Sequence, residues 1–182
     1  METYEKTFDI LVNMTDEELD LHVERLLNIE KMTDEEKEVF NQVLDQELGK
    51  QPRSVNQVEL RESVIALFQP PSKGARRYVI NFSVKTVAIA INVAIATALF
   101  FAGGALAGLK ALIKRKGKVA AKRILSSAVR NAVRKILGNK IALQAAGLAG
   151  AIVNTLMDPG TYIANFIDKN WDRKRNSGRI EF

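Results

Sequence analysis

Apolar positions recur at helical spacing through the first part of the chain and then merge into long uninterrupted runs. Met14-Thr15-Asp16-Glu17-Glu18 is echoed eighteen residues later by Met32-Thr33-Asp34-Glu35-Glu36. In each phrase a threonine stands three residues before a glutamate, the signature of a reciprocal helix cap. Leu19, Val23, Leu26 and Leu27 follow the first, and Val39, Phe40, Val43, Leu44 and Leu48 the second, both as helical stripes. Gly49 and Pro52 end the second helix. Ser54 with Gln57 predicts the cap of a third, carried by Val58, Leu60, Val64, Ile65, Leu67 and Phe68.

Beyond Pro70-Pro71-Ser72-Lys73-Gly74, a helix stop followed by flexible polar residues, the pattern changes. Thr86–Leu109 is a run of 24 uncharged residues. As one helix it extends roughly 36 Å, enough for a bilayer core of ~30 Å. Ile141–Met157 is a second uncharged run, about 26 Å if helical throughout. Both are rich in Ala and Gly, and Gly104/Gly108 and Gly147/Gly150 predict small-residue faces for helix pairing, a glycine zipper. Between the runs, residues 117–138 read as a cationic amphipathic helix. Ala120, Ala121, Ile124, Leu125, Ala128, Ala132 and Ile136 share one side, and Lys122, Arg123, Arg130 and Arg134 the other. Asp158-Pro159-Gly160 breaks the second run, and Thr161–Ile167 resumes as a short apolar segment. Trp171 beside Asp172-Arg173-Lys174-Arg175 has the look of an interfacial aromatic.

Charge sharpens this division. Residues 1–72 hold seventeen acidic and seven basic residues, net −10; residues 73–182 hold four acidic and twenty basic, net +16. No acid occurs between Glu62 and Asp158, where fifteen lysines and arginines lie. Halves of such opposite sign attract each other. The expectation is an all-α protein: a small acidic helical module at 1–71 and a basic membrane-active helical domain at 72–182, with two apolar Ala/Gly-rich helices.

Composition gives little for catalysis. Cysteine is absent and His22 is the single histidine, which disfavours thiolate zinc sites, thiol nucleophiles and histidine bases. Glu17, Glu18, Glu35 and Glu36 are first-turn capping acids, since adjacent helical positions point apart. Gly103-Gly104 and Gly147-Gly150 lack the lysine and strand context of phosphate loops. No enzyme and no cofactor is expected. Met1-Glu2-Thr3-Tyr4-Glu5 carries no signal-peptide features, so any export is expected to use another route.

The run Gly104-Ala105-Leu106-Ala107-Gly108-Leu109-Lys110-Ala111-Leu112-Ile113-Lys114-Arg115-Lys116-Gly117-Lys118-Val119-Ala120-Ala121 resembles a stretch of circular bacteriocins, in which a Gly/Ala-rich helix leads into a Lys-Gly-Lys cationic one. The larger layout, an apolar hairpin in a basic helical domain behind a charged segment, is similar to colicin-type pore-forming domains. Both resemblances imply membrane permeabilisation. The expected function is a pore-forming or membrane-disrupting toxin, placed in a membrane or soluble and then inserted. Lys110, Lys114, Arg115, Lys116, Lys118, Lys122, Arg123, Arg130, Arg134 and Lys135 are its lipid-binding candidates. Expected partners are an anionic lipid membrane, further copies of the chain within it, and an acidic or immunity protein. Nucleic acid is less expected, because residues 110–140 lack aromatics and any known binding motif. A resident two-span membrane scaffold or adaptor protein, and a soluble all-α interaction or nucleic-acid-binding protein, are the alternative readings.

Overall fold

The structure, a computed structural model, describes residues 2–69, 81–171 and 178–181. The boundary expected at 70–74 and the cations at 173–175 lie outside these residues.

The fold is all-α, with one short two-stranded ribbon. Its helices are α1 (Glu2–Asn13), α2 (Asp16–Leu26), α3 (Asp34–Gly49), α4 (Gln57–Phe68), α5 (Val84–Ala98), α6 (Ala105–Leu137), α7 (Asn139–Ala146), α8 (Ala149–Thr155) and α9 (Pro159–Asn170). Strands β1 (Asn81–Ser83) and β2 (Arg179–Glu181) pair antiparallel, with Phe82 opposite Ile180, and tie the start of α5 to the end of the chain.

Both predicted capping boxes form. Thr15 Oγ1 accepts from the Glu18 amide while Glu18 Oε1 accepts from the Thr15 amide, and Thr33 and Glu36 repeat the exchange. The third cap differs from expectation. Asn56, not Ser54, caps α4, its Oδ1 accepting from the Glu59 amide at 3.1 Å. Helix α1 and the ribbon are not among the predicted elements.

Helix α5 is the axis of the molecule. Every residue from Thr86 to Ala98 is buried, against α3, α4, α6 and α9. A helix apolar on all sides needs neighbours on all sides, and each fully buried Ile or Val contributes about 1.5–3 kcal/mol. One cluster of buried side chains, from Phe8 to Ile180, draws on both sides of the 70–74 segment.

The expected long apolar helix over 86–109 is instead two helices. Leu99 caps α5 and Phe100 adopts a left-handed φ of 53°. The Phe100 amide then reaches Thr97 O at 3.0 Å and the Phe101 amide reaches Ala96 O at 2.9 Å, a Schellman stop. Residues 99–104 turn the chain into α6. No helix among the described residues is long and apolar enough to cross a membrane. The second run is also divided, into α7 and α8, at Gly147-Leu148.

Helix α6 is interrupted at Gly117, whose φ of 88° and ψ of 169° are outside the helical range. The helix beyond it has the predicted amphipathic sides, but its apolar side is covered by the protein itself. Ala121, Ile124, Leu125, Ala128, Ala132 and Ile136 are buried, and Ala120 is half-buried. Trp171 is half-buried and meets Phe166 edge-on at 5.0 Å.

Candidate functional site

Two features concentrate the polar chemistry: a charged seam between α1–α2 and α6, and a buried node on α5.

The seam arises because α6 repeats its polar residues on one side. Arg123, Ser127, Arg130, Asn131 and Arg134 fall at offsets of four, seven, eight and eleven, a single helical face. Acids of the first two helices lie along it. Glu5 pairs with Arg115, Asp9 with Lys116, Asp16 with Arg123 at 2.7 Å, and Asp20 with Arg130. Arg115 also lies 5.4 Å from the Tyr4 ring centroid and donates to the Tyr4 hydroxyl. Arg123 reaches the carbonyls of Val12 and Met14, so it serves the free carbonyls at the end of α1. Asp20 Oδ1 additionally accepts from Ser127 Oγ at 2.6 Å and Asn131 Nδ2 at 3.4 Å. Burial opposes its charge, but the Ser127 and Arg130 hydrogen bonds outweigh it and hold the carboxyl below its usual range.

All but one of the lipid-binding candidates therefore fall into two groups. Arg115, Lys116, Arg123 and Arg130 are engaged by acids of α1 and α2. Lys110, Lys114, Lys118, Lys122 and Arg134 are exposed and form no ion pair among the described residues. Lys135 is half-buried and has interactions of its own. Val119 is 86% exposed among the lysines of the first half of α6.

The glycines are placed differently from the expected zipper. A side chain at Gly108 would meet Phe101 at 3.1 Å, so this glycine makes room for the turn after α5. Gly104 caps α6 beside Glu47 of α3 and Lys50, the residue that ends that helix. Gly147 ends α7, and a Cβ added at Gly150 of α8 would lie 3.3 Å from the Lys122 stem. The structure does not bring the 104/108 pair against the 147/150 pair. Dividing both runs by turns removes the continuous faces that such pairing uses.

The node is centred on Asn92, a polar interruption of the first run. Its Nδ2 donates to both Asp158 oxygens at 3.0 and 2.9 Å and to Glu47 Oε2 at 3.4 Å. Its Oδ1 accepts from the Gly160 amide at 2.8 Å. One amide thus joins α3, α5 and α9. Burial pushes the Glu47 carboxyl up, with Lys50 opposing and Asp158 adding to the shift. Nothing in composition or spacing marks these three residues as neighbours.

On the other side of α2, Arg25 grips Glu36 with both terminal guanidinium nitrogens, Nη1 and Nη2, at 3.0 and 2.8 Å. This bond, with the Thr33 cap, lowers the Glu36 pKa against the cost of burial. His22 is half-buried nearby, and burial followed by the Arg25 charge depresses its pKa. Among the described residues no group of three or more His, Cys, Asp or Glu side chains is placed to hold a metal.

No protein-family model, curated protein or solved structure matches this chain.

Proposed function

We propose that this chain is a membrane-active helical protein of the pore-forming or membrane-disrupting kind, a bacteriocin-like or antibacterial toxin that folds before it inserts. The observation that carries the reading is the storage of the uncharged segment 86–109. It is broken by a turn at Leu99–Gly104, with its first half sheathed on all sides by other helices. Helix α5 alone extends about 22 Å, short of a hydrocarbon core of ~30 Å. Straightened through the turn, the segment extends about 36 Å and spans it.

Recruitment falls to the exposed bases of α6. Lys110, Lys114, Lys118, Lys122 and Arg134 each gain about 1 kcal/mol near an anionic surface. Arg115, Lys116, Arg123 and Arg130 add to these when α1 and α2 leave the seam. An acidic immunity partner would compete for the same bases. Self-association within the bilayer would use the small-residue faces that straightening restores.

Dye-loaded vesicles test this. Release from anionic but not zwitterionic vesicles, falling as salt screens the bases, is expected. A protein that leaves both vesicle types intact at every salt concentration is not membrane-active. A second reading, a soluble all-α interaction protein, is favoured by one observation: among the described residues no helix is long and apolar enough to cross a membrane. Intact vesicles would leave that reading standing.

A further inference from the structure

We infer that Ser127, Arg130 and Asn131 of α6 form a phosphate cradle, which the Asp20 carboxylate occupies in the folded state as an intramolecular substitute for a lipid phosphate. The inference rests on the membrane-active reading and names the group that the basic helix would take.

Three donors from one helix converge on a single oxygen, Asp20 Oδ1: the Ser127 hydroxyl at 2.6 Å, the Asn131 amide at 3.4 Å and the Arg130 guanidinium. Ser127 and Asn131 are 2% and 4% exposed, so two neutral donors are spent inside the seam on an acid from another helix. Their positions are fixed from within α6. Asn131 Nδ2 also donates to Ser127 O at 2.9 Å, and Arg134 Nη1 donates to Asn131 Oδ1 at 3.3 Å. The cradle is thus braced by α6 itself and does not depend on α2.

The cradle also offers more than a carboxylate uses. A cleft of about 460 Å³ opens beside Asp20, lined by Arg123, Ser126 and Arg134 as well as Ser127 and Arg130. Three arginines there face two acids, Asp16 and Asp20. A phosphate has more acceptor oxygens than a carboxylate and engages several donors at once, and arginine forks match its geometry. Leu143, 69% exposed, stands on the rim of the same cleft. A charged cradle with an apolar residue at its lip suits a headgroup whose acyl chains lie alongside. Displacement of Asp20 by such a group frees α2 from α6 and couples lipid binding to opening of the seam.

The test follows the backbone amides of Ser127–Asn131 in the full-length wild-type chain by NMR. It is titrated separately with dihexanoyl phosphatidylglycerol, inorganic phosphate, a short RNA and chloride at matched ionic strength. Localised shifts with the lipid, with or without inorganic phosphate, are expected. Shifts with inorganic phosphate alone would overturn the lipid assignment, and so would shifts with RNA alone. Shifts with chloride equal to those with the lipid would overturn the cradle, as would none with any probe. In parallel, Asp20→Asn keeps an oxygen for the three donors but removes the competing charge. Its affinity for phosphatidylglycerol vesicles should rise about tenfold, and Ser127→Ala in that background should reverse part of the gain. Vesicle binding by wild type with unmoved cradle amides defeats the cradle and leaves the membrane reading intact. Cradle shifts with soluble lipid, but no release of dye from vesicles, defeat the membrane reading alone.

Discussion

The Gly160 amide donates to Asn92 Oδ1 at 2.8 Å, and an added Cβ at Gly160 would lie 2.0 Å from Ala88 O. The start of α9 thus runs against the backbone of α5, closer than any side chain permits. Gly160→Ala must push the two helices apart and stretch the Asn92 bond. A loss of about 1–3 kcal/mol or more is expected, read as a lowered midpoint in urea unfolding. Asn92→Ala should cost about 1–3 kcal/mol, since it leaves Glu47 and Asp158 without their shared donor. If Gly160→Ala unfolds at the wild-type midpoint, the close approach is not formed.

Glu47 and Glu36 should respond to pH in opposite senses. The folded pKa of Glu36 is depressed, so its contribution is complete above the unfolded value and is lost as pH falls through the folded one. Glu36→Gln should cost about 2 kcal/mol at neutral pH, a difference that vanishes in acid. The folded pKa of Glu47 is raised. Its burial cost is therefore complete above that value and is relieved as pH falls toward the ordinary glutamate range. Glu47→Gln should stabilise the protein at neutral pH and flatten its profile across that window. Urea midpoints over a pH series read both effects.

Gly117→Ala tests the interruption of α6. Nothing lies within 4 Å of the added methyl, so space is not the obstacle. The backbone is, because φ of 88° with ψ of 169° is essentially glycine-only territory. A loss of about 1–3 kcal/mol is expected by thermal or urea unfolding. Unchanged stability would mean that the bend is not required.

What the sequence made legible follows interaction range. The Thr15/Glu18 and Thr33/Glu36 caps are local, and both form as spelled. The amphipathic sides of 117–138 are also local, yet periodicity alone does not say whether lipid or protein covers the apolar one. The turn at Phe100 was hidden because glycine ordinarily takes the left-handed position of a Schellman stop, and a phenylalanine there reads as more apolar helix. Its cue lies further on: Gly103 and Gly108 both pack against Phe101. Attraction between the two halves was visible in their net charges. The partners of Arg123 and Arg130 needed the relative placement of α2 and α6, and Asn92 needed three elements at once.

The proposed insertion requires residues 86–109, turned at Leu99–Gly104 in the folded protein, to straighten into a spanning helix. Ala102 lies within that turn, and its amide makes no hydrogen bond among the described residues. Proline there should be tolerated in the folded protein, whereas within a continuous helix it removes a hydrogen bond and clashes, at about 3 kcal/mol or more. The decisive measurement is dye release from anionic vesicles by Ala102→Pro beside wild type, with vesicle binding followed in the same samples. Release by wild type is expected, beside a variant that folds and binds vesicles but releases little. Equal release by the two proteins would contradict the straightening.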